Sequence, residues 1–170
     1  MTVELNDSHQ PTKLPDMLPR FELTITTRVI TGRGMPMGSY GGTGQRLMVP
    51  ILGGDFAGPA GLRGRVVPGG TEWPLVRPDE VGTIDARYTF ETHDGVFINV
   101  RNTGFRYGPP EVMKRLNAGD GWIDPDSYYF RTWSVFEAPV GPYDWLSRFV
   151  FFGIAERVPE CLFLNYFKLL

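Results

Sequence analysis

A chain of 170 residues suits one domain, because independent domains usually run to roughly 100–200 residues. With 42% apolar and 21% charged residues it has material for its own core and does not read as disordered. Its 17 Lys and Arg against 19 Asp and Glu give a formal charge of −2, without the basic excess that neutralises a phosphate backbone, so no nucleic-acid partner is expected.

The 21 Gly and 15 Pro, with 14% aromatic residues, point to many short strands joined by turns rather than to long helices. Residues 1–19 contain Pro11, Pro15 and Pro19 and read as a flexible leader or strap before a single domain over 20–170. They lack the basic start and apolar run of a signal peptide, and apolar runs such as 149–152 fall far short of the roughly 20 residues that span a bilayer. A cytosolic protein without a membrane segment is expected.

Phe21, Leu23, Ile25, Thr27 and Val29 alternate with Glu22, Thr24, Thr26 and Arg28, a period of two that predicts a half-buried strand with the first set on its apolar face. Residues 31–46, TGRGMPMGSYGGTGQR, hold six glycines and a proline and predict a long loop, with a lid as one expectation. Further strands are predicted at 47–52, 62–67, 84–91, 96–101, 128–137, 149–154 and 161–169. Asp94-Gly95 predicts a type I′ hairpin turn, residues 111–116 a short helix, and 143–147 a single helical turn after Gly141-Pro142.

Gly53-Gly54 and Gly69-Gly70 lack the Lys-Ser/Thr ending of a phosphate loop and read as turns or bulges where a strand bends. Asp85, Asp94, Asp120, Asp124 and Asp126 miss the calcium-loop spacing and read as turn acids. His9 and His93 are the two histidines, too few for a His-based zinc site or a Ser-His-Asp triad, and no cofactor or metal is expected. As the one cysteine of the chain, Cys161 cannot form an internal disulfide and, with no flanking activator, reads as a buried strand thiol.

About eight strands with little helix leave a closed antiparallel barrel or a two-sheet sandwich, and the barrel is favoured. Large residues on both faces of a strand, as in Arg87 with Tyr88 and Phe130 with Arg131, suggest an outer face covered by a second copy, hence a homodimer or higher homo-oligomer. Ile84, Ala86, Tyr88 and Phe90 share one face of their strand; Tyr129, Arg131, Trp133, Val135 and Glu137 share one face of theirs. Arg87, Glu91, Arg131 and Glu137 either decorate a solvated outer face or line a wet interior cavity, where a carboxyl could be tuned upward by burial or downward by a nearby Arg.

The motifs GQR, VPILGGDFAGPAGLRGRVVPGGTEW, DARYTFETHDGVFINVRNTGFR, YYFRTWSVFEAPVGPYDWL and VFFG, in that order, resemble the small β-barrel family of domain of unknown function 3237. The likeness runs from about Phe21 to the C-terminus. That family is similar to calycin-like and allene-oxide-cyclase-like barrels, which implies a self-associating antiparallel barrel with a central cavity for a small organic molecule. Carried over by position, its recurring polar residues fall at Arg46, Glu72, Trp73, Arg87, Tyr88, Asp94, Arg131 and Glu137. Glu72 stands where the pattern leads one to expect Asp.

Together these features predict a cofactor-independent enzyme for a small, largely apolar metabolite, acting by cyclisation, isomerisation or water elimination. Glu72 or Glu137 would move a proton, Arg87 and Arg131 would stabilise developing negative charge, and Arg46, Trp73, Tyr88, Tyr129 and Trp133 would hold the substrate. The rivals are a carrier that binds the same molecule unchanged, and a structural oligomer whose side chains fill the barrel.

Overall fold

The structure, a computed structural model, describes residues 18–39, 41–159 and 161–170; the expected leader falls almost wholly outside them. In chain order the elements are β1 (Phe21–Thr31), β2 (Met35–Ser39), β3 (Gln45–Ala57), β4 (Arg63–Glu72), β5 (Leu75–Val76), β6 (Gly82–Thr92), β7 (Phe97–Tyr107), α1 (Pro110–Ala118), β8 (Tyr129–Glu137), β9 (Phe151–Val158) and β10 (Cys161–Leu169). Eight of them follow the order β1-β10-β9-β8-β7-β6-β4-β3, and β3 pairs back onto β1. That last pairing closes an antiparallel barrel and removes its sheet edges. Arg28 and Asp55 face each other across this seam on the outer surface as an ion pair. Half-exposed pairs of this kind contribute about 0–1 kcal/mol, so the ladder and core, not the charge, hold the seam.

Four local expectations are corrected. In β1 the alternation predicts one face for Phe21, Leu23, Ile25, Thr27 and Val29, but a bulge between Leu23 and Ile25 shifts the register. Ile25, Thr27 and Val29 then point inward, whereas Phe21 and Leu23 are 52% and 50% exposed, because one extra residue swaps the faces of everything on one side of it. Residues 31–46 are not one loop: β2 lies inside them and pairs with the start of β3, extending the sheet as an arm. The turn after β6 is not type I′. Gly95 N–H donates to the Thr92 carbonyl, and the positive φ falls on Gly95 alone (83°), the geometry of a longer hairpin ending in a left-handed glycine. Cys161 opens β10 and is half-buried rather than buried.

The glycine pairs do mark bends. The register shifts between Pro50 and Asp55 on β3 and between Val67 and Thr71 on β4. At Gly54 (φ 137°) a Cβ would overlap the Arg28 carbonyl across the closing seam, so only glycine lets the strands meet there.

The two ends of the barrel are filled differently. Between β8 and β9, a 3-10 turn at Asp144–Arg148 buries Leu146 completely in the core that also holds Phe136 edge-on to Phe151 and Phe90 stacked on Phe56 at 4.2 Å between ring centroids. Each such Phe contributes about 1.5–3 kcal/mol on burial, making this the apolar plug. At the opposite end, where β4, β7 and β9 finish, α1 is the cap. Pro110 suits a first helical turn, and Gly119 (φ 75°) ends the helix by donating to the Arg115 and Leu116 carbonyls. Its Met113 and Leu116, three positions apart, are buried against the core.

Candidate active site

Alternation along the strands and register between them place a polar layer inside the barrel at the α1 end. Glu72 on β4 lies opposite Ala86 on β6, Ala86 opposite Asn102 on β7, and Asn102 opposite Ser134 on β8. Glu72, Asn102 and Ser134 are all buried, and the Ser134 hydroxyl donates to the Asn102 side-chain carbonyl at 2.6 Å. One residue pair deeper, the hydroxyls of Tyr88 and Tyr166 hydrogen-bond to each other. Burial is the chief reason both phenols ionise less readily than usual; for Tyr88 the Tyr166 hydrogen bond acts against this and the Glu72 carboxylate adds to it. Both therefore stay neutral hydrogen-bonding groups.

Glu72 is the interior acid. Burial pushes its carboxyl up from the ordinary value of 4.5, opposed by the positive charges of Arg106 and Arg157. These two arginines lie near the ends of β7 and β9, at the inward positions of the alternation that runs through Asn102 and Gly104 and through Gly153 and Ala155. Arg106 packs its guanidinium over Phe130, 5.7 Å from the ring centroid, and donates from Nη2 to the Asn117 side chain of α1 at 3.0 Å. Its Nε is buried without a hydrogen-bond partner. The Arg157 backbone N–H donates to the Tyr128 hydroxyl at 3.0 Å, tying β9 to the chain entering β8.

Glu72, Tyr88 and Asn102 line an interior chamber with the apolar Val29, Ile51 and Ile84. Its volume is about 20 Å³, room for about one water molecule. A larger molecule enters only if the cap or the chamber side chains move aside. Thr27 and Thr132 add buried hydroxyls without partners to the same interior. Among the described residues, no three His, Cys, Asp or Glu side chains form a metal-ligating group.

The residues singled out from the sequence divide among separate places. Glu72 and Tyr88 are interior. Arg46 and Trp73 meet at the rim, where Arg46 Nη1 donates to the Trp73 carbonyl at 2.6 Å and Trp73 is exposed. Arg131 and Glu137 do share a face with Tyr129 and Trp133, but it is the outer one, because Phe130, Thr132, Ser134 and Phe136 take the inside. Arg87 likewise points outward, directly opposite Arg101, in an open groove of about 590 Å³ that Glu137 also borders. Arg131 packs on Tyr129 at 5.4 Å and borders a second, apolar outer groove of about 430 Å³ with Phe21, Phe152 and Ile154. None of Arg87, Arg131 and Glu137 faces the chamber. Glu91, on the outer face as well, is bonded by Arg65 at 2.7 Å.

Sequence reasoning missed Asn102, Ser134 and Tyr166 in the layer, and Arg106 and Arg157 at its mouth. Their signal is polar residues at the inward parity of otherwise apolar strands: Asn102 and Arg106 continue the alternation of Ile98 and Val100.

Residues 15–169 match the family described as protein of unknown function DUF3237. A UPF0311 protein of Rhodopseudomonas palustris is 36% identical over 158 residues, covering 92% of this chain and 99% of its own. The crystal structure of the conserved R. palustris protein of unknown function superposes with a TM-score of 0.83 at 33% identity, covering 90% of this chain and 98% of that one. A β-barrel-like protein of Acinetobacter baumannii gives 0.79 at 30% identity, covering 93% and 100%. A more distant likeness, to the structure of an enzyme from Penicillium herquei (TM-score 0.68, 21% identity, 95% and 98% covered), shows the shared fold. A family match over nearly the whole chain, a matching barrel and a relative aligned over almost its whole length make this chain a member of the DUF3237/UPF0311 family.

Proposed function

We propose that the protein is a cofactor-independent enzyme that transfers a proton on a small, largely apolar metabolite inside the barrel, in a cyclisation, isomerisation or water elimination. The observation that carries this reading is Glu72: a carboxyl buried among apolar side chains, whose burial makes it hold a proton more tightly than an ordinary carboxylate and suits it to give and take back a proton. The Tyr88–Tyr166 pair provides neutral hydroxyls beside it, suited to an oxygen that gains charge during the reaction. Charge stabilisation, first assigned to Arg87 and Arg131, passes to Arg106 and Arg157, whose fields reach Glu72. The Penicillium herquei structure adds that a barrel of this fold serves as an enzyme elsewhere.

One observation favours the filled structural barrel instead: the chamber's volume of about 20 Å³. Against it stands the cost of burying charge. A barrel built only to pack would be at least as stable with apolar residues in place of Glu72 and Arg106, because burying an ion costs several kcal/mol (on the order of the pair attraction it gains). The outer face fits self-association under either reading: Trp133, Phe152 and Ile154 remain 45%, 42% and 43% exposed on adjacent strands, and we assign a homodimer to it.

Native mass spectrometry of the purified protein, followed by denaturation and identification of released small molecules, tests the enzyme reading. The expected result is an apolar metabolite that wild-type protein converts on incubation. Recovery of the same molecule unchanged after prolonged incubation makes the protein a carrier, and an empty barrel that takes up no ligand makes it structural.

A further inference from the structure

We infer that the molecule acted on in the Glu72 chamber is an organic anion, a carboxylate or an acidic enol or phenol on an apolar body, whose charged oxygens are held by Arg106 and Arg157 beneath α1. This rests on the proposed enzyme reading and adds the chemical class of the substrate to it.

The argument begins with charge. Arg106 and Arg157 both stand near the capped end, at the inward positions closing β7 and β9, and the interior carboxyl their charges act on is Glu72. Burial works against both sides: it favours the uncharged form of Glu72, and together with the neighbouring Arg157 it disfavours the charged form of Arg106. A guanidinium stays protonated even so, and a site with two positive charges and one reluctant negative one is completed by an anion.

Hydrogen bonding points the same way. Arg106 gives Nη2 to Asn117, a neutral acceptor, and its Nε is buried with no acceptor. An unfilled donor on a buried guanidinium is costly, and a carboxylate answers a guanidinium edge with two parallel bonds. Several acceptors at the capped end are bonded to other donors. The α1 carbonyls of Arg115 and Leu116 accept from Asp120 and Gly119. Glu156, next to Arg157, accepts the Trp122 indole N–H at 3.1 Å.

There is also an approach. Arg157 borders a pocket of about 250 Å³ on the outer side of the cap, formed with Leu116, Gly119 and Gly121 at the end of α1 and with the turn after β9. Its charge also acts on Glu72. An anionic head seated on Arg157 and Arg106 would direct its apolar body toward Val29, Ile51 and Ile84, and the carbon next to the charged group toward Glu72.

The test compares straight-chain and phenyl-substituted carboxylates of graded length with their neutral amides, by titration calorimetry and by the shift in thermal unfolding. The wild type is expected to bind at least one carboxylate more than tenfold tighter than its amide. R157M and R106M are each expected to abolish that preference, with R157K restoring part of it; R157M serves should R106M fail to fold. E72Q is expected to keep or strengthen carboxylate binding, since it removes a competing negative charge. Equal binding of acid and amide, binding of neither, or a preference untouched in R157M overturns the inference. E72Q also separates the two claims: turnover lost in E72Q without any acid preference in the wild type refutes the anion alone, whereas acid preference with turnover intact in E72Q refutes the proton-transfer role alone.

Discussion

Tyr88 on β6 and Tyr166 on β10 join their hydroxyls across the barrel, a bond between strands that are not neighbours in the sheet. Removing either hydroxyl strands the other in the interior. Tyr166 keeps Ser134 beside it, so Y88F should cost less than Y166F, each within about 1–3 kcal/mol. In urea unfolding the double variant Y88F/Y166F should be less destabilised than the sum of the singles. Strict additivity would mean that the hydroxyls do not interact in solution.

The raised proton affinity of Glu72 fixes the sign of a pH effect. A carboxyl that holds its proton more tightly in the folded state favours folding fully below its ordinary value of 4.5, and that contribution is lost as pH rises through its higher value in the barrel. Each unit by which the folded value is raised corresponds to about 1.4 kcal/mol. E72Q cannot ionise, so its stability relative to wild type should climb as pH rises from 4 to 8. A difference that is flat with pH would place Glu72 in water.

The apolar plug and the closing seam set the largest structural costs. F90A removes a fully buried ring stacked on Phe56 and should cost about 3–5 kcal/mol. G54A drives a methyl group into the Arg28 carbonyl and should cost at least about 1–3 kcal/mol, whereas an alanine at exposed Glu111 on α1 should stay within about 0.5 kcal/mol. Chemical denaturation of the three variants checks the order.

Self-association is read from the outer face. Light scattering at micromolar concentration should give twice the chain mass for the wild type and the monomer mass for I154K, which places a charge among Tyr129, Phe152 and Phe21. A monomeric wild type would leave this apolar face to some other use.

The barrel itself was legible because a period of two survives along β6 and β8, both of which pair with β7 in unbroken register. The bulge in β1 was not, since one extra residue leaves no mark in a run such as FELTITTRV. Nor does alternation tell inside from outside when both faces are rich in aromatics. Tyr129, Arg131, Trp133 and Glu137 were rightly placed together, and only the packing of Phe130 and Phe136 against the core sends them outward. Glu72 was reached through family resemblance, its inward direction being set by the register shift in β4 that precedes it. Arg106 and Arg157 stand near strand ends, where the chain is about to turn and charge reads as solvation. Only closure of the barrel brings both toward Glu72.

Turnover by E72Q beside wild type, on the molecule released from the purified protein, tests the central claim most directly. The account predicts that wild type forms product while E72Q binds the molecule and returns it unchanged. Product formation by E72Q at the wild-type rate would contradict it.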